Sequence, residues 1–176
     1  MKKILAFAGS NNSKSINKTF AKYATNQVDK ATEFIDLENY DVPLYGIDFE
    51  DKNGIPEATQ RLNEKISQFD FIIISSNEHN GAISSFFKNH IDWLSRNDRN
   101  FLKDKKLLLL STSPGRGGAK MSLSYLVEVL PRFGAEVLSH FALASFGHCF
   151  SEEQGITDEE QKKEFEVALK KFKDKI

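Results

Sequence analysis

The stretch 71–76, with the sequence FIIISS, indicates the centre of the fold because four apolar residues run together and two serines follow. A short run that is apolar at every position is typical of a strand covered on both faces. The run KLLLL at 106–110 has the same character, and a third run, at 3–8, ends at Gly9 and Ser10. These three runs predict buried strands of a parallel sheet.

Helical patterns alternate with apolar runs along the whole chain. Apolar residues recur every three or four positions in several segments, and two further short strands separate them. The predicted helices cover 15–28, 56–69, 84–96 and 117–133, and a last helix begins at a capping box of Thr157 and Glu160. The two further strands cover 32–37 and 135–140. The segments 40–51 and 141–156 are predicted as loops. Strands that alternate with helices in this way indicate a three-layer α/β fold, with one domain over residues 1–176.

The composition excludes several classes of function. The 24 Lys and Arg residues and the 25 Asp and Glu residues leave a net charge of -1, so there is no broad positive field to attract nucleic acid. A single cysteine excludes a disulfide framework and a metal site built from several thiolates. No segment approaches the roughly 20 apolar residues of a membrane span. We therefore expect no nucleic-acid partner, no membrane partner and a cytoplasmic location.

Three polar loops, each directly after a predicted strand, are the candidates for a binding site. The carboxyl ends of parallel strands meet at one edge of a sheet, and ligands of open α/β folds bind there. The first loop is GSNNSKSIN at 9–17, the second is SSNEHNGAI at 75–83 and the third is STSPGRGGA at 111–119. Hydroxyl, amide and backbone N–H groups in the first loop suit a phosphate, although the same groups also cap helices. Glycines of the third loop allow a flat ligand to approach, or allow a turn of positive φ.

The sequence predicts neither a metal site nor a catalytic side chain. Glu78 and His79 are neighbours in the chain, and adjacent residues rarely point at one ion. Cys149 lies beside aromatic residues, as a packed cysteine does. The motifs GxGxxG, GxxxxGK[ST] and GxSxG are all absent from the sequence. A dinucleotide-binding Rossmann fold, a P-loop NTPase and a serine hydrolase are therefore not expected.

Together, the three loops resemble the motifs of the NADPH-dependent FMN reductase family, a flavodoxin-like group that includes azoreductases and reductases of quinones and chromate. The resemblance extends from Lys2 to about Leu138. The matching residues are Gly9, Ser10, Ser15 and Asn17 in the first motif; Glu78, Asn80, Lys88, Asn89 and residues 91–96 in the second; and Ser111, Ser113, Pro114, Gly115, Gly117 and Gly118 in the third.

The resemblance implies a flavodoxin-like fold, with a five-stranded parallel sheet of order 2-1-3-4-5 and FMN at the point where the strand order reverses. It implies hydride transfer from NADPH or NADH to FMN and on to a small acceptor, such as a quinone, an azo or nitro compound or free flavin. The alternative is an FMN-binding electron carrier without its own NAD(P)H reaction. A homodimer or homotetramer is also implied, and residues 86–93 offer apolar side chains on more than one helical face.

The resemblance also implies the cofactor contacts. Ser10, Ser15 and Asn17 would hold the phosphate, residues 77–80 would border the flavin ring, and residues 113–116 would close over its other side. The full set of implied FMN-binding residues is Ser10, Asn12, Ser15, Ile16, Asn17, Asn77, Glu78, His79, Asn80, Gly81, Ser113, Gly115 and Arg116. The flavin itself carries the chemistry, so no catalytic side chain is implied.

This sequence departs from the family motifs at three positions of the first and second loops. Asn12 stands where the family has Arg, Asn77 where it has Pro and His79 where it has Tyr. A phosphate in the first loop must then depend on hydroxyls, backbone N–H groups and the positive end of the following helix. Lys14 is the cation that the first loop still offers.

Overall fold

The computed structural model describes residues 3–28 and 32–176, so Met1 and Lys2, where the sequence and the resemblance begin, lie outside the described residues. Strands and short helices alternate along both described ranges. The strands are β1 (Ile4–Ala8), β2 (Glu33–Phe34), β3 (Phe71–Ser76), β4 (Glu78–His79), β5 (Ala82–Ile83), β6 (Lys106–Thr112), β7 (Glu136–Leu143), β8 (Phe150–Ser151) and β9 (Gly155–Ile156). The α-helices are α1 (Ile16–Val28), α2 (Ile47–Asn53), α3 (Glu57–Ser67), α4 (Ser85–Asn97), α5 (Lys120–Val129), α6 (Phe146–Cys149) and α7 (Glu159–Lys173), and 3₁₀ helices cover Leu37–Tyr40 and Leu130–Phe133.

The main sheet of the described residues has five strands in the order β2-β1-β3-β6-β7, and every neighbouring pair is parallel. Numbered among themselves, these strands follow the order 2-1-3-4-5, which confirms the predicted topology. The order reverses between β1 and β3, where consecutive connections leave toward opposite edges of the sheet. The three polar loops follow β1, β3 and β6, so all of them lie at the same edge.

The central strands are buried because each of their faces packs against helices. Ile73 and Leu108 belong to a cluster that includes side chains of α1 and α7. Their chain neighbours Ile72 and Leu107 belong to a second cluster, with side chains of α3, α4 and α5. Successive residues of a strand point to opposite faces of the sheet, so a strand between two helical layers must be apolar at every position. The three-layer prediction is confirmed.

Two predictions near the ends of elements are wrong. The strand predicted over 32–37 has only two residues in β2, because Asp36 then accepts a hydrogen bond from the Glu38 N–H and starts a 3₁₀ helix.

The last helix does not begin with a capping box of Thr157 and Glu160. Asp158 caps α7 instead, and its carboxylate accepts a hydrogen bond of 2.9 Å from the Gln161 N–H. A carboxylate at this position also interacts favourably with the positive end of the helix.

Both segments predicted as loops contain regular structure. Segment 40–51 includes most of α2, and segment 141–156 includes the end of β7, α6 and the β8–β9 hairpin. These elements are only two to seven residues long apart from β7. Such short elements carry too few apolar positions for a period to show in the sequence.

The apolar side chains of residues 86–93 are used within the chain. Trp93 is fully buried, and its Nε1–H donates a hydrogen bond of 2.7 Å to the Pro43 carbonyl. The rings of Tyr45 and Phe49 pack edge-on against the indole. Residues 43–49 therefore cover the helical face that the sequence offered as a reason for oligomerisation, and that reason no longer holds.

Candidate functional site

The carboxyl ends of β1, β3 and β6 open onto a cavity of about 310 Å³, which we call the first cavity. The first loop forms one side of it, Asn77 and the β4 residues form another, and the end of β6 with the start of the third loop closes it. Small-molecule sites in proteins typically measure about 300–1,000 Å³. The first cavity thus has the location and the size of a ligand site in an open α/β fold.

Most, but not all, of the residues expected at the site line the first cavity. The structure brings together Ser10, Asn12, Ser15, Ile16, Asn17, Asn77, Glu78, His79 and Ser113. Four expected residues do not line it: Asn80, Gly81, Gly115 and Arg116. Additional lining residues are Asn11, Lys14, Thr112 and Pro114. All four additional residues belong to the polar loops or adjoin them, so loop membership was the signal that could have found them.

Two buried hydroxyls of the first loop make the side of the cavity suited to a phosphate. Ser10 and Ser15 are buried, and each hydroxyl oxygen already accepts a hydrogen bond from a backbone N–H, from Asn12 and Lys18 respectively. Both hydroxyl hydrogens can still be donated. Ser15 caps α1, and the N–H groups of the first helical turn have no partner within the helix. Hydroxyls and backbone N–H groups at a helix N-terminus are donors suited to an anion.

Asn12 organises the first loop instead of adding charge to it. Its Oδ1 atom accepts a hydrogen bond of 2.8 Å from the Lys14 N–H, and the Ser15 N–H donates to its backbone carbonyl. Both contacts are typical of a turn held by an asparagine side chain. Lys14 is exposed and lines the cavity, so it places a cation beside the two serines.

Asn17 connects three elements at the base of the first cavity. Its side chain is buried, and its Oδ1 atom accepts hydrogen bonds from the Ser75 hydroxyl at 2.8 Å and from the Thr112 N–H at 3.0 Å. Its Nδ2 atom donates to the Thr112 carbonyl at 3.0 Å. These contacts tie the start of α1 to the ends of β3 and β6. The geometry therefore gives Asn17 a positioning role, while its predicted contact with phosphate stays a prediction.

The second loop forms a small hairpin whose shape explains why two expected residues lie outside the cavity. Strands β4 and β5 pair antiparallel, and Asn80 and Gly81 form the turn with φ values of 52° and 76°. Asn-Gly is the preferred sequence of such two-residue turns because both positions need positive φ. The carboxylate of Glu78 accepts a hydrogen bond of 3.0 Å from the Ser122 N–H in the first turn of α5. Glu78 thus anchors the hairpin on a helix N-terminus.

His79 and Asn77 form a polar pair at the wall of the first cavity. The Nδ2 atom of Asn77 lies 3.1 Å from Nε2 of His79. The Oδ1 atom of Asn77 is buried and has no hydrogen-bond partner among the described residues. The His79 ring is exposed, at the position where the family carries a tyrosine.

The third loop is exposed from Pro114 to Gly117 and buried at both ends, and backbone hydrogen bonds from a distant segment help to hold it. The Ser113 carbonyl accepts from the Phe146 N–H at 3.1 Å, and the Gly115 carbonyl accepts from the Ser145 N–H at 2.9 Å. A Cβ atom built on Gly117 would meet nothing within 4 Å. The loop therefore leaves open space at Gly117, although Gly117 itself does not line the first cavity.

The donors fit FMN better than they fit a metal ion. Buried hydroxyls and helix N–H groups suit a phosphate dianion, and a glycine-rich loop across the cavity suits a flat ring. No group of three or more His, Cys, Asp or Glu side chains in the described residues could hold a metal. In the same residues, no helix has the length and apolar character needed to cross a bilayer.

Sheet order, cavity position and donor chemistry together define a flavodoxin-like protein with a site for a phosphorylated ligand. Residues 2–148 match the family described as NADPH-dependent FMN reductase, and the chain belongs to that family. Members are oxidoreductases that use FMN with a reduced nicotinamide nucleotide as the electron donor. The prediction of an NAD(P)H-dependent flavoenzyme is thereby confirmed at the level of the family.

Similar proteins come from several bacteria. An uncharacterized protein of Mycoplasma pneumoniae, an MG342 homolog, is 32% identical over 160 residues, which cover 88% of this chain and 93% of that protein. A quinone reductase of Escherichia coli is 33% identical over 99 residues, covering 56% of this chain and 53% of that protein. The solved structure of FerB, a flavoenzyme NAD(P)H:(acceptor) oxidoreductase from Paracoccus denitrificans, gives a TM-score of 0.79 at 26% identity and covers 99% and 96% of the two chains.

Proposed function

We propose that this chain transfers hydride from NADPH or NADH, through FMN held in the first cavity, to a small-molecule acceptor. The observation that carries the proposal is the pair of buried hydroxyls, Ser10 and Ser15, beside the free N–H groups at the start of α1. This arrangement can hydrogen-bond to a phosphate without a guanidinium, which agrees with Asn12 at the position of the family's Arg. The proposal treats residues 1–176 as one domain.

The first loop would bind the phosphate end of FMN. Ser10 and Ser15 would donate hydrogen bonds from their hydroxyls, and the backbone N–H groups of Ile16 and Asn17 would add two more. Lys14 would supply the positive charge that Asn12 lacks. Asn12 and the Asn17 side chain would act indirectly, because both hold the loop in the conformation that presents these donors.

The second and third loops would bind the ring of FMN. Asn77, Glu78, His79 and Ser113 line the cavity opposite the first loop, as a group that orients the ring must. His79 would stack on the ring or donate a hydrogen bond to it. For four further residues the proposal rests on the family resemblance and not on the cavity: Asn80, Gly81, Gly115 and Arg116.

FMN, when bound, supplies the hydride chemistry, so the chain needs no acid–base pair of its own. The residues of the chain would bind and orient the two nucleotides. Two relatives bear the names quinone reductase and NAD(P)H:(acceptor) oxidoreductase, which supports a small organic acceptor. A quinone is therefore the first acceptor to assay, followed by azo and nitro compounds and free flavin.

The absorption spectrum of the protein after addition of FMN and desalting tests the proposal. We expect retained flavin bands, bleaching on mixing with NADPH or NADH under anaerobic conditions, and recovery on addition of a quinone. Failure to retain FMN together with failure to oxidise either nucleotide would refute the proposed function. Flavin that binds but is reduced by neither nucleotide would favour the electron-carrier alternative.

We further propose that the chain is a cytoplasmic homodimer or homotetramer, as the family resemblance implies. The apolar residues of 86–93 no longer support this, because residues 43–49 cover Trp93. Light scattering at micromolar concentration tests the oligomer, since the chain alone has a mass of 20.0 kDa. A measured mass equal to that of one chain would contradict it.

A further inference from the structure

Strand β7 forms one edge of the main sheet, and that edge is open. Among the described residues only β6 pairs with β7, so the backbone N–H and C=O groups on its outer side have no strand partner. Folded proteins protect such edges with very short strands and with charged side chains. β2, at the opposite edge, has only two residues, and its Glu33 forms an ion pair of 2.8 Å with Lys65. β7 has eight residues and a single carboxylate, at its start, so it is the edge that is available to a partner.

Two cavities lie along the open edge, between α5 and α7. They measure about 450 Å³ and about 320 Å³, and His140 and Glu164 line both. Valine side chains from α5, β7 and α7 give the larger cavity an apolar part, and Val167 among them is 58% exposed. Burial of this apolar surface against a second molecule would be favourable. We call the following surface the β7 face: strand β7 itself, Lys120, Ser124 and Glu128 of α5, and Glu164, Val167 and Lys171 of α7.

The α7 side of the β7 face carries opposite charges at equal distances from an apolar centre. Glu164, Val167 and Lys171 recur at spacings of three and four residues, so they lie on one side of the helix, and all three are exposed. Val167 and the small Ala168 stand midway between the two charges. A two-fold rotation that sets α7 antiparallel to the same helix of another chain exchanges its ends. Glu164 of each chain then meets Lys171 of the other, and Val167 meets Val167.

The α5 side of the β7 face has the same arrangement with the charges in reverse order. Lys120 and Ser124 line the smaller cavity, and Glu128 follows on the same side of the helix. The same rotation would set Lys120 of each chain against Glu128 of the other, with the small Ser124 at the centre. Glu128 also pairs with Arg132 at 3.2 Å, but both side chains are largely exposed, so that pair is weak. Lys120 and the two charged residues of α7 have no ion-pair partner among the described residues.

We infer that the β7 face binds a second copy of this chain about a two-fold axis, with α5 against α5 and α7 against α7. An interface of this symmetry uses the same surface on both chains, so that surface must be complementary to itself. Both helices meet this condition, since each carries a lysine and a glutamate on opposite sides of a small or apolar centre. A partner of different sequence would not require such a pattern. The inference rests on the proposed oligomer and adds the surface that forms it.

Contact through the β7 face would leave the first cavities of the two chains independent. In the sheet, β6 separates β7 from β3 and β1, where the strand order reverses. None of the described residues that line the first cavity belongs to the β7 face. Loss of the contact should therefore change neither the affinity for FMN nor the kcat of the reaction under the proposed function.

Charge reversal on α7 tests the inference by sedimentation velocity of the full chain over a range of protein concentrations at low ionic strength. Glu164→Lys and Lys171→Glu each replace two attractive contacts of the interface by two repulsive ones. We expect each variant to need about a tenfold or higher concentration for association, so that the native assembly falls to half its mass. Glu166→Lys is the matched control, because it makes the same charge change at an exposed position of α7 that lines neither cavity.

A mixture of the two variants tests the antiparallel arrangement itself. An equimolar mixture should recover the native affinity, because the Glu164→Lys chain then presents two basic residues on α7 to two acidic residues of the Lys171→Glu chain. The double variant Glu164→Lys/Lys171→Glu should also associate like the native protein, since reversal of both charges keeps the surface complementary to itself. Thermal unfolding of each variant shows that the chain is folded.

Three outcomes would overturn the inference: a native protein with the mass of one chain at all concentrations, single variants that associate as the native protein does, or a mixture that does not recover. Single variants that behave like the native oligomer would leave the proposed oligomer standing on another surface. None of these measurements involves FMN. A chain that retains FMN but fails the mixing test keeps the proposed function and loses the β7 interface. A chain that passes the mixing test but never retains FMN keeps the interface and refutes the proposed function.

Discussion

The first and third loops both line the first cavity, and both are exposed in the middle and buried at their ends, but different contacts hold them. The first loop buries Ser10 and Ser15, and its own side chains hold its backbone at Asn12, Lys14 and Lys18. The third loop is exposed from Pro114 to Gly117. Its carbonyls accept hydrogen bonds from its own Ser111 and Ser113 hydroxyls, and the N–H groups of residues 145 and 146 add contacts from outside the loop.

This difference has a functional consequence. A loop fixed by its own hydrogen bonds presents phosphate donors in advance, so little conformational entropy is lost when a ligand binds. A glycine-containing loop with open space at Gly117 can adjust its backbone to a ring and to successive substrates. We therefore expect the phosphate end of the site to be rigid and the ring end to be adaptable. The four predictions below test this contrast, from the largest effect to the smallest.

Substitution of Asn17 should have the largest effect, because its side chain holds both loops. Asn17→Ala removes three buried hydrogen bonds and leaves the Thr112 backbone groups without their partner. We expect the free energy of unfolding to fall by roughly 3–5 kcal/mol. Urea unfolding measures the change, with Asn26→Ala, an exposed position on the same helix, as the control. A loss no larger than that of the control would show that Asn17 does not hold the loops together.

Substitution of the buried serines should weaken binding of the phosphate end alone. Ser10→Ala and Ser15→Ala each remove a hydrogen bond to a charged group, about 1.5–3 kcal/mol or roughly a 10- to 150-fold rise in the Kd for FMN. Riboflavin lacks the phosphate and should bind the variants as it binds the native protein. Flavin fluorescence measures both ligands. Equal weakening of FMN and riboflavin would refute the assignment of the first loop to the phosphate.

A matched pair of glycine substitutions tests rigidity directly. A Cβ atom on Gly9 would lie 2.5 Å from the ring of the buried Phe87, whereas one on Gly117 would meet nothing within 4 Å. Gly9→Ala should therefore cost about 1–3 kcal/mol of stability through overpacking. Gly117→Ala should change it by no more than about 0.5 kcal/mol. Thermal or urea unfolding of the two variants checks the contrast, and similar losses in both would contradict it.

The smallest expected effect is the pH dependence of the ion pair beside the first loop. Hydrogen bonds from Lys18 and the Glu38 N–H outweigh burial and hold the Asp36 pKa below 3.8, its ordinary value. The stabilisation is therefore present above that value and is lost as the pH falls through the lower pKa of the folded protein. The stability difference between native protein and Asp36→Asn should shrink from pH 7 toward acid pH. Urea unfolding across that range measures it, and a difference that grows on acidification would contradict the prediction.

The sequence and the tertiary structure of this chain carry two kinds of information. The apolar runs at 71–74 and 107–110 were sufficient to predict the central strands, because a strand covered on both faces must be apolar throughout. The placement of the polar loops at one edge followed from the alternation of strands and helices. The family motifs added the strand order, since a period in the sequence does not tell which strands are neighbours.

The roles of individual loop residues were decided by contacts between distant parts of the chain. Asn17 bonds to Thr112, which is 95 residues away, and Glu78 bonds to Ser122, which is 44 residues away. Trp93 is covered by a segment whose contact at Pro43 lies 50 residues earlier. No local pattern encodes such partners, so Asn17 was expected to bind a ligand, and the apolar residues of 86–93 were offered as a reason for oligomerisation.

The sequence by itself thus determined which segments are buried and which loops share an edge. A buried segment shows as a continuous apolar run or as apolar residues at regular spacing, and both can be read directly from the sequence. The tertiary structure alone decided which loop side chains line the first cavity and which ones hold the loops in place. The physical reason is that a side chain is directed by packing and hydrogen bonds across the sheet. Those interactions depend on the positions of elements far apart in the chain, which the local sequence does not specify.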